Sequence, residues 1–211
     1  MRQWALDSRG LRSRSTHITA LGDTRGPFPV CPRCGQICGL LEWKPPFQIE
    51  IDQLGQAFDD LPLGINTGEY EVVSDRARTC FEAIGITGIT YLSEAVPRRV
   101  TGGGGRRGGR PPKYWVAEIA QSDAEVDFQS SGCDFDCDGG QRLCNLCGGC
   151  LITKMDRLVF HKPPPADLDI CRIFVLRLAI TSERFASVVR EHRLSGLNLI
   201  PLEEYSFNGR P

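Results

Sequence analysis

Two stretches of the chain show the same change of hydrophobic period. Apolar residues dominate Tyr70–Val73 and again Arg172–Ile180, as in strands with a buried face. Each run ends at a serine followed by an acid and an arginine, Ser74-Asp75-Arg76 and Ser182-Glu183-Arg184, and the spacing beyond it is helical. Ala77, Cys80, Phe81 and Ile84 stand at i, i+3, i+4 and i+7, and so do Phe185, Val188, Val189 and His192. The spacing predicts helices over 75–84 and 183–193. In each, the serine caps the first turn by accepting a backbone N–H bond, and the acid lies where the helix dipole favours negative charge. The chain then turns, at Gly85 to Gly88 or at Ser195-Gly196, into a short strand over Ile89–Leu92 or Leu197–Leu202.

The resemblance between these stretches is an internal repeat. Val72-Val73-Ser74-Asp75-Arg76 leads to Ile86-Thr87-Gly88-Ile89, and Ile180-Thr181-Ser182-Glu183-Arg184 leads to Leu194-Ser195-Gly196-Leu197. The distance from serine to glycine is 14 positions in both. A Cys-x-x-Cys-Gly precedes each unit, at 31–35 and at 144–148, and a Lys-Pro-Pro lies between, at 44–46 and at 162–164. With further strands expected at Phe47–Ile51, Lys113–Ile119, Glu125–Phe128 and Leu158–His161, the class is α+β. The expected organisation is two pseudo-repeated halves, 27–97 and 144–205, each a knuckle plus a strand–helix–strand module. Residues 98–143 link them, 206–211 form a tail, and residues 1–26, polar and Arg-rich, read as an irregular arm with room for one short strand. Within the linker, residues 101–112 (Thr-Gly-Gly-Gly-Gly-Arg-Arg-Gly-Gly-Arg-Pro-Pro) read as a flexible surface loop, because glycine multiplies backbone freedom and the arginines repel one another.

Composition narrows the function classes. The 211 residues are 41% hydrophobic, enough for one sizeable core or two lobes sharing one, and the formal net charge is only -1. A whole-protein attraction to nucleic acid or to an anionic membrane is not indicated. No apolar run approaches the length that crosses a bilayer, and charges interrupt the first residues where a signal peptide would need a continuous apolar core. The expected location is the cytoplasm, and in a reducing compartment the ten cysteines point to metal before disulfides.

Cys31-Pro32-Arg33-Cys34-Gly35 and Cys144-Asn145-Leu146-Cys147-Gly148 have the form of zinc knuckles. Two intervening residues let both sulfurs face one point across a tight turn, and the glycine permits the backbone conformation that brings amides toward the thiolates. Together Cys31, Cys34, Cys144 and Cys147 complete a tetrahedral four-thiolate shell with no open position, a structural site that joins the halves. Zinc is the expected ion, and iron in a rubredoxin-type site is the runner-up. A thioredoxin-like redox pair needs one Cys-x-x-Cys at a helix start and gives no reason for a second copy. Cys38 and Cys150 are reserve ligands. Cys133 and Cys137, with Asp134, Asp136 and Asp138, read as an exposed acidic turn before a second metal site, and Cys80 and Cys171 read as small buried hydrophobes.

Catalytic patterns are missing from the sequence. His17, His161 and His192 belong to no His-Glu-x-x-His arrangement, and Gly102–Gly105 lacks the Gly-Lys-Ser/Thr ending of a phosphate loop. No paired carboxylates can be nominated, so the expectation is a protein that is not an enzyme. A nucleic-acid-binding zinc protein using Arg106, Arg107, Arg110 and Lys113 is the alternative, weakened by balanced charge and by the lack of interleaved aromatics.

The pair of Cys-x-x-Cys-Gly motifs, with the closing block Ile180-Thr-Ser-Glu-Arg-Phe185 leading to Leu194-Ser-Gly-Leu-Asn-Leu-Ile-Pro-Leu202, resembles the double-CxxCG motif proteins of myxobacteria. The resemblance covers about residues 28–203 and is diffuse in the middle; the Cys133–Cys137 segment and the glycine–arginine loop match nothing typical of that family. It implies an immunity protein of the swarm-inhibition (Sit) type. Such a protein is a cytoplasmic agent of kin discrimination that binds and blocks one cognate toxin delivered by contact.

Overall fold

The computed structural model describes residues 2–7, 16–21, 30–35, 43–54, 57–62, 70–102, 110–136, 144, 151–173, 175–176 and 178–208. They form a mixed α/β fold, mostly strand. In chain order the strands are β1 (Gln3–Asp7), β2 (Thr16–Leu21), β3 (Gln48–Gln53), β4 (Tyr70–Ser74), β5 (Ile89–Gly102), β6 (Tyr114–Ile119), β7 (Gln121–Ser122) and β8 (Glu125–Val126). They continue with β9 (Asp134–Asp136), β10 (Leu151–Met155), β11 (Phe160–Lys162), β12 (Ile170–Ile173), β13 (Leu178–Ser182), β14 (Asn198–Pro201) and β15 (Phe207–Asn208). Helix α1 (Asp75–Ile84) follows β4 and helix α2 (Glu183–Glu191) follows β13. Neither is long and apolar enough to cross a membrane.

Two five-stranded sheets, ordered β2-β3-β5-β6-β4 and β14-β1-β13-β12-β7, carry the helices, beside smaller sheets β15-β10-β9 and β11-β8. Both helices begin as their capping residues dictate. Ser74 Oγ accepts the Ala77 N–H at 3.0 Å and Ser182 Oγ accepts the Phe185 N–H at 3.2 Å, each serine having an extended backbone. The helices meet at Phe81 and Phe185, whose rings stack with centroids 4.9 Å apart. Val73, Ala117, Ile119, Ile170 and Ala179 from the two sheets complete that core. Ile84, expected on the buried stripe of α1, is 36% exposed, and His192 is exposed at the end of α2.

The two strand–helix units grip one another through a carboxylate that each unit holds just upstream. Asp60 accepts a bond from Ser74 Oγ at 2.7 Å and an ion pair from Arg76 at 2.7 Å, and it also accepts the Ser195 N–H at 3.1 Å. Asp169 does the same with Ser182 Oγ at 2.7 Å, Arg184 at 2.8 Å and the Thr87 N–H at 3.1 Å. Each arginine also donates to the end of the opposite helix, Arg76 to the His192 carbonyl and Arg184 to the Ile84 carbonyl. There a cation satisfies an orphan C=O and complements the dipole. The repeated Ser-Asp/Glu-Arg and the repeated Thr/Ser-Gly are thus the two sides of one contact, made twice.

The glycine of each turn is needed for closeness. Gly88 has φ +87°, and a Cβ there would lie 1.9 Å from the Ile170 carbonyl oxygen; Gly196 has φ +95°, with the Leu61 oxygen at 2.3 Å. Gly88→Ala is expected to destabilise the protein by more than ~2 kcal/mol, because the left-handed backbone and the backbone collision both resist a side chain. Urea unfolding would check it, and a change within ~0.5 kcal/mol would contradict the packing described.

Three expectations need correction. The N-terminal segment is not an irregular arm: β1 is an interior strand, pairing with β13 (Trp4↔Thr181) and β14 (Ala5↔Ile200), and β2 pairs with β3. Trp4 and Ala5 are buried, so tertiary packing holds a segment whose own pattern is weak. Arg172–Ile180 is not one strand but the hairpin β12–β13, closing at Ile173↔Leu178. Its apolar run hides the turn because no glycine, proline or asparagine marks it. The strand after α1 does not end at Leu92 but continues to Gly102.

β1 stands in the second sheet where β6 stands in the first. Trp115 of β6 donates from Nε1 to Asp75 at 2.7 Å with Arg78 over its ring at 3.8 Å; Trp4 of β1 donates to Glu183 at 2.7 Å with Arg190 at 4.2 Å. The N-terminal strand therefore supplies to the second unit what the strand following the first unit supplies to that one.

Candidate metal centre

Cys31 and Cys34 lie on a tight turn closed by the Gly35 N–H, which donates to the Cys31 carbonyl at 2.9 Å. Gly35 has φ +72°, the backbone conformation expected of the glycine after the second cysteine. Cys144, 110 positions beyond Cys34 and in the segment between β9 and β10, reaches the same point. The sulfurs of Cys31, Cys34 and Cys144 all lie within 4.8 Å of one another, the Cys31–Cys144 pair at 3.9 Å. Cys31 and Cys144 are buried and Cys34 is exposed.

The spacing fits a metal and not a disulfide. A tetrahedral ion with metal–sulfur bonds of ~2.3 Å holds its sulfurs ~3.8 Å apart, whereas a disulfide needs ~2.05 Å. Arg33, between the two cysteines of the turn, ion-pairs with Glu125 of β8 at 3.0 Å. Glu125, and more weakly Cys144 and Cys31 as thiolates, raise the pKa of its guanidinium.

Cys147, proposed as the fourth ligand, lies outside the described residues, as do Cys38, Cys137 and Cys150. Cys133 is half-buried and belongs to no metal-competent group among the described residues; its thiol is pushed up to about 11 by burial and then by Asp134 and Asp156. Asp134 and Asp136, expected in a turn, lie on strand β9 against β10. Cys171 is buried on β12, where burial raises its pKa, and Cys80 is half-buried on α1. Of the histidines, His17 lies on β2, and His161 lies on β11 with Nδ1 3.6 Å from Asp127. Among the described residues, Cys31, Cys34 and Cys144 form the one group of three side chains placed to hold an ion.

Asp60 and Asp169 escaped the sequence reading, yet a signal existed: each is an aspartate 14 or 13 positions ahead of its capping serine. The strand correspondence was also written in Arg2-Gln3-Trp4-Ala5 and Lys113-Tyr114-Trp115-Val116. Compared with protein-family models and with curated proteins, the chain matches none of them.

Proposed function

We propose that this protein is an immunity protein that binds a cognate contact-delivered bacterial toxin and neutralises it by stoichiometric inhibition in the cytoplasm. The observation that carries the reading is the thiol cluster. Cys31 and Cys34 from one Cys-x-x-Cys-Gly motif meet Cys144 from the other, and these two motifs are the ones that carry the family resemblance. In this reading Cys147 completes a four-cysteine zinc site, a closed structural staple between the two halves that holds the binding surface in shape and performs no chemistry. Iron in the same shell would reveal itself by thiolate-to-iron absorption in the visible, which zinc lacks.

The test is co-expression with the toxin encoded beside it. Growth rescue together with a complex that survives purification is the expected outcome. A toxin that kills in the presence of this protein and does not co-purify with it removes the proposal.

A further inference from the structure

The ladder between β5 and β6 stops at Ala95↔Tyr114. Two residues before Tyr114, the chain runs through Pro111-Pro112, and proline has no N–H with which to extend a ladder. β5 nevertheless continues from Val96 to Gly102, held on one side by β3 from Gln48↔Val96 to Gln53↔Gly102, with a register shift between Ile49 and Glu50 that leaves Arg98 without a partner on β3. Among the described residues no strand pairs on its other side. Past Pro97, which removes one donor, no described strand takes up the backbone groups on this side, which makes the edge a template for another strand.

The side chains along it are of a definite kind. Val96 is 40% exposed and Val100 45%, and Arg98 and Arg99 are exposed with them. Arg99 leans on Glu50 at 3.4 Å; Arg98 has no ion-pair partner among the described residues. Between Glu94 and Glu118 the sequence holds Arg98, Arg99, Arg106, Arg107, Arg110 and Lys113 and not one acid, in a chain whose net charge is -1. Of these cations Arg106 and Arg107 lie outside the described residues and Lys113 pairs with Glu94 at 2.9 Å, so the positive charge on the edge itself is that of Arg98 and Arg99, beside the exposed valines.

We propose that Val96–Gly102 takes up an extended acidic segment of a partner protein as an added β-strand. Backbone bonds would supply affinity; with Arg99 on one face of β5 and Val100 on the other, acidic side chains on one face of the added strand would meet Arg99 and apolar ones on its other face would meet Val100. Nucleic acid would engage the arginines but use neither the edge amides nor the valines, and residues 96–102 carry no aromatic on which a base could stack. The inference deepens the immunity reading and rests on it only for the partner's identity.

The experiment uses fluorescence anisotropy of the whole protein with a labelled octapeptide of alternating Glu and Val. A peptide of the same sequence methylated at every backbone nitrogen, and a single-stranded DNA dodecamer, serve as comparison probes. The unmodified peptide should bind, with affinity falling at least about tenfold in Arg98→Glu/Arg99→Glu and on methylation. The methylated probe tests the edge on unaltered protein, whatever the double variant does to folding. The proposal is overturned if the unmodified peptide does not bind or binds no better than the methylated one; DNA binding in its place would assign the arginines to nucleic acid. Peptide capture without growth rescue would keep the surface and remove the toxin reading. Rescue with no peptide binding would do the reverse.

Discussion

Cys144→Ser, or exhaustive treatment of the wild type with a strong chelator, is expected to lower the melting temperature by ~10 °C or more. Cys144 and Cys31 are buried with sulfurs 3.9 Å apart, and they come from segments that no continuous strand or helix joins. In the unfolded chain these ligands are dispersed, so the free energy of binding the ion becomes free energy of folding. Even a modest share of it, ~4 kcal/mol, corresponds to a shift of that size in a chain of about this length. Cys80→Ser on α1, outside the cluster, is the control and should shift melting far less. Melting that is unchanged in Cys144→Ser, or metal content that stays the same by elemental analysis, would dismiss the metal centre.

Asp169→Ala is expected to cost ~3 kcal/mol in chemical denaturation. The side chain is only 10% exposed and its carboxylate accepts from Ser182 Oγ, the Thr87 N–H, the Thr87 hydroxyl at 3.3 Å and Arg184. Its removal strands the buried Ser182 hydroxyl, worth ~1–3 kcal/mol when left unpaired, while the Thr87 amide, on an exposed residue, exchanges its partner for water at a smaller cost. The Arg184 side chain is 49% exposed, so the ion pair itself adds under ~1 kcal/mol. Asp169→Asn keeps an acceptor in place and should lose about half as much.

The same carboxylate makes a pH prediction. Burial acts to raise its pKa, but the bonds from Ser182 and Thr87 and the charge of Arg184 outweigh it, and the pKa lies below the ordinary value. A depressed folded pKa means that this stabilisation is complete above the unfolded value of ~3.9 and is lost as the pH falls from there through the folded value. The stabilities of wild type and Asp169→Ala should converge below about pH 4. A gap between them that stays constant down to pH 2 would show that the carboxylate's charge is not what holds the contact.

Local signals made much of this architecture legible in the sequence. Ser74 and Ser182 begin helices because a hydroxyl after an extended residue can take an N–H in the first turn, a relation confined to four residues. The turn at Cys31–Gly35 was equally local, since two-residue spacing and a glycine at positive φ suffice to specify it. Those features follow from chain connectivity and backbone sterics, which a sequence states directly.

What only the tertiary structure decided are the pairings between distant segments. Residues 3–7 carry too short a pattern to announce a strand, and the two neighbours that make β1 an interior strand, β13 and β14, lie some 170 positions away or more. Asp60 and Asp169 look like ordinary loop acids until the fold delivers to each of them an N–H from the other unit's turn. The convergence of Cys144 on Cys31 was foreseen from the chemistry of thiolates, but its distance was not, because a ligand set states what must meet and not how the sheets bring it together. The free edge of β5 was hidden for the same reason: pairing is a property of two strands at once, and one strand's residues do not record where its neighbour stops.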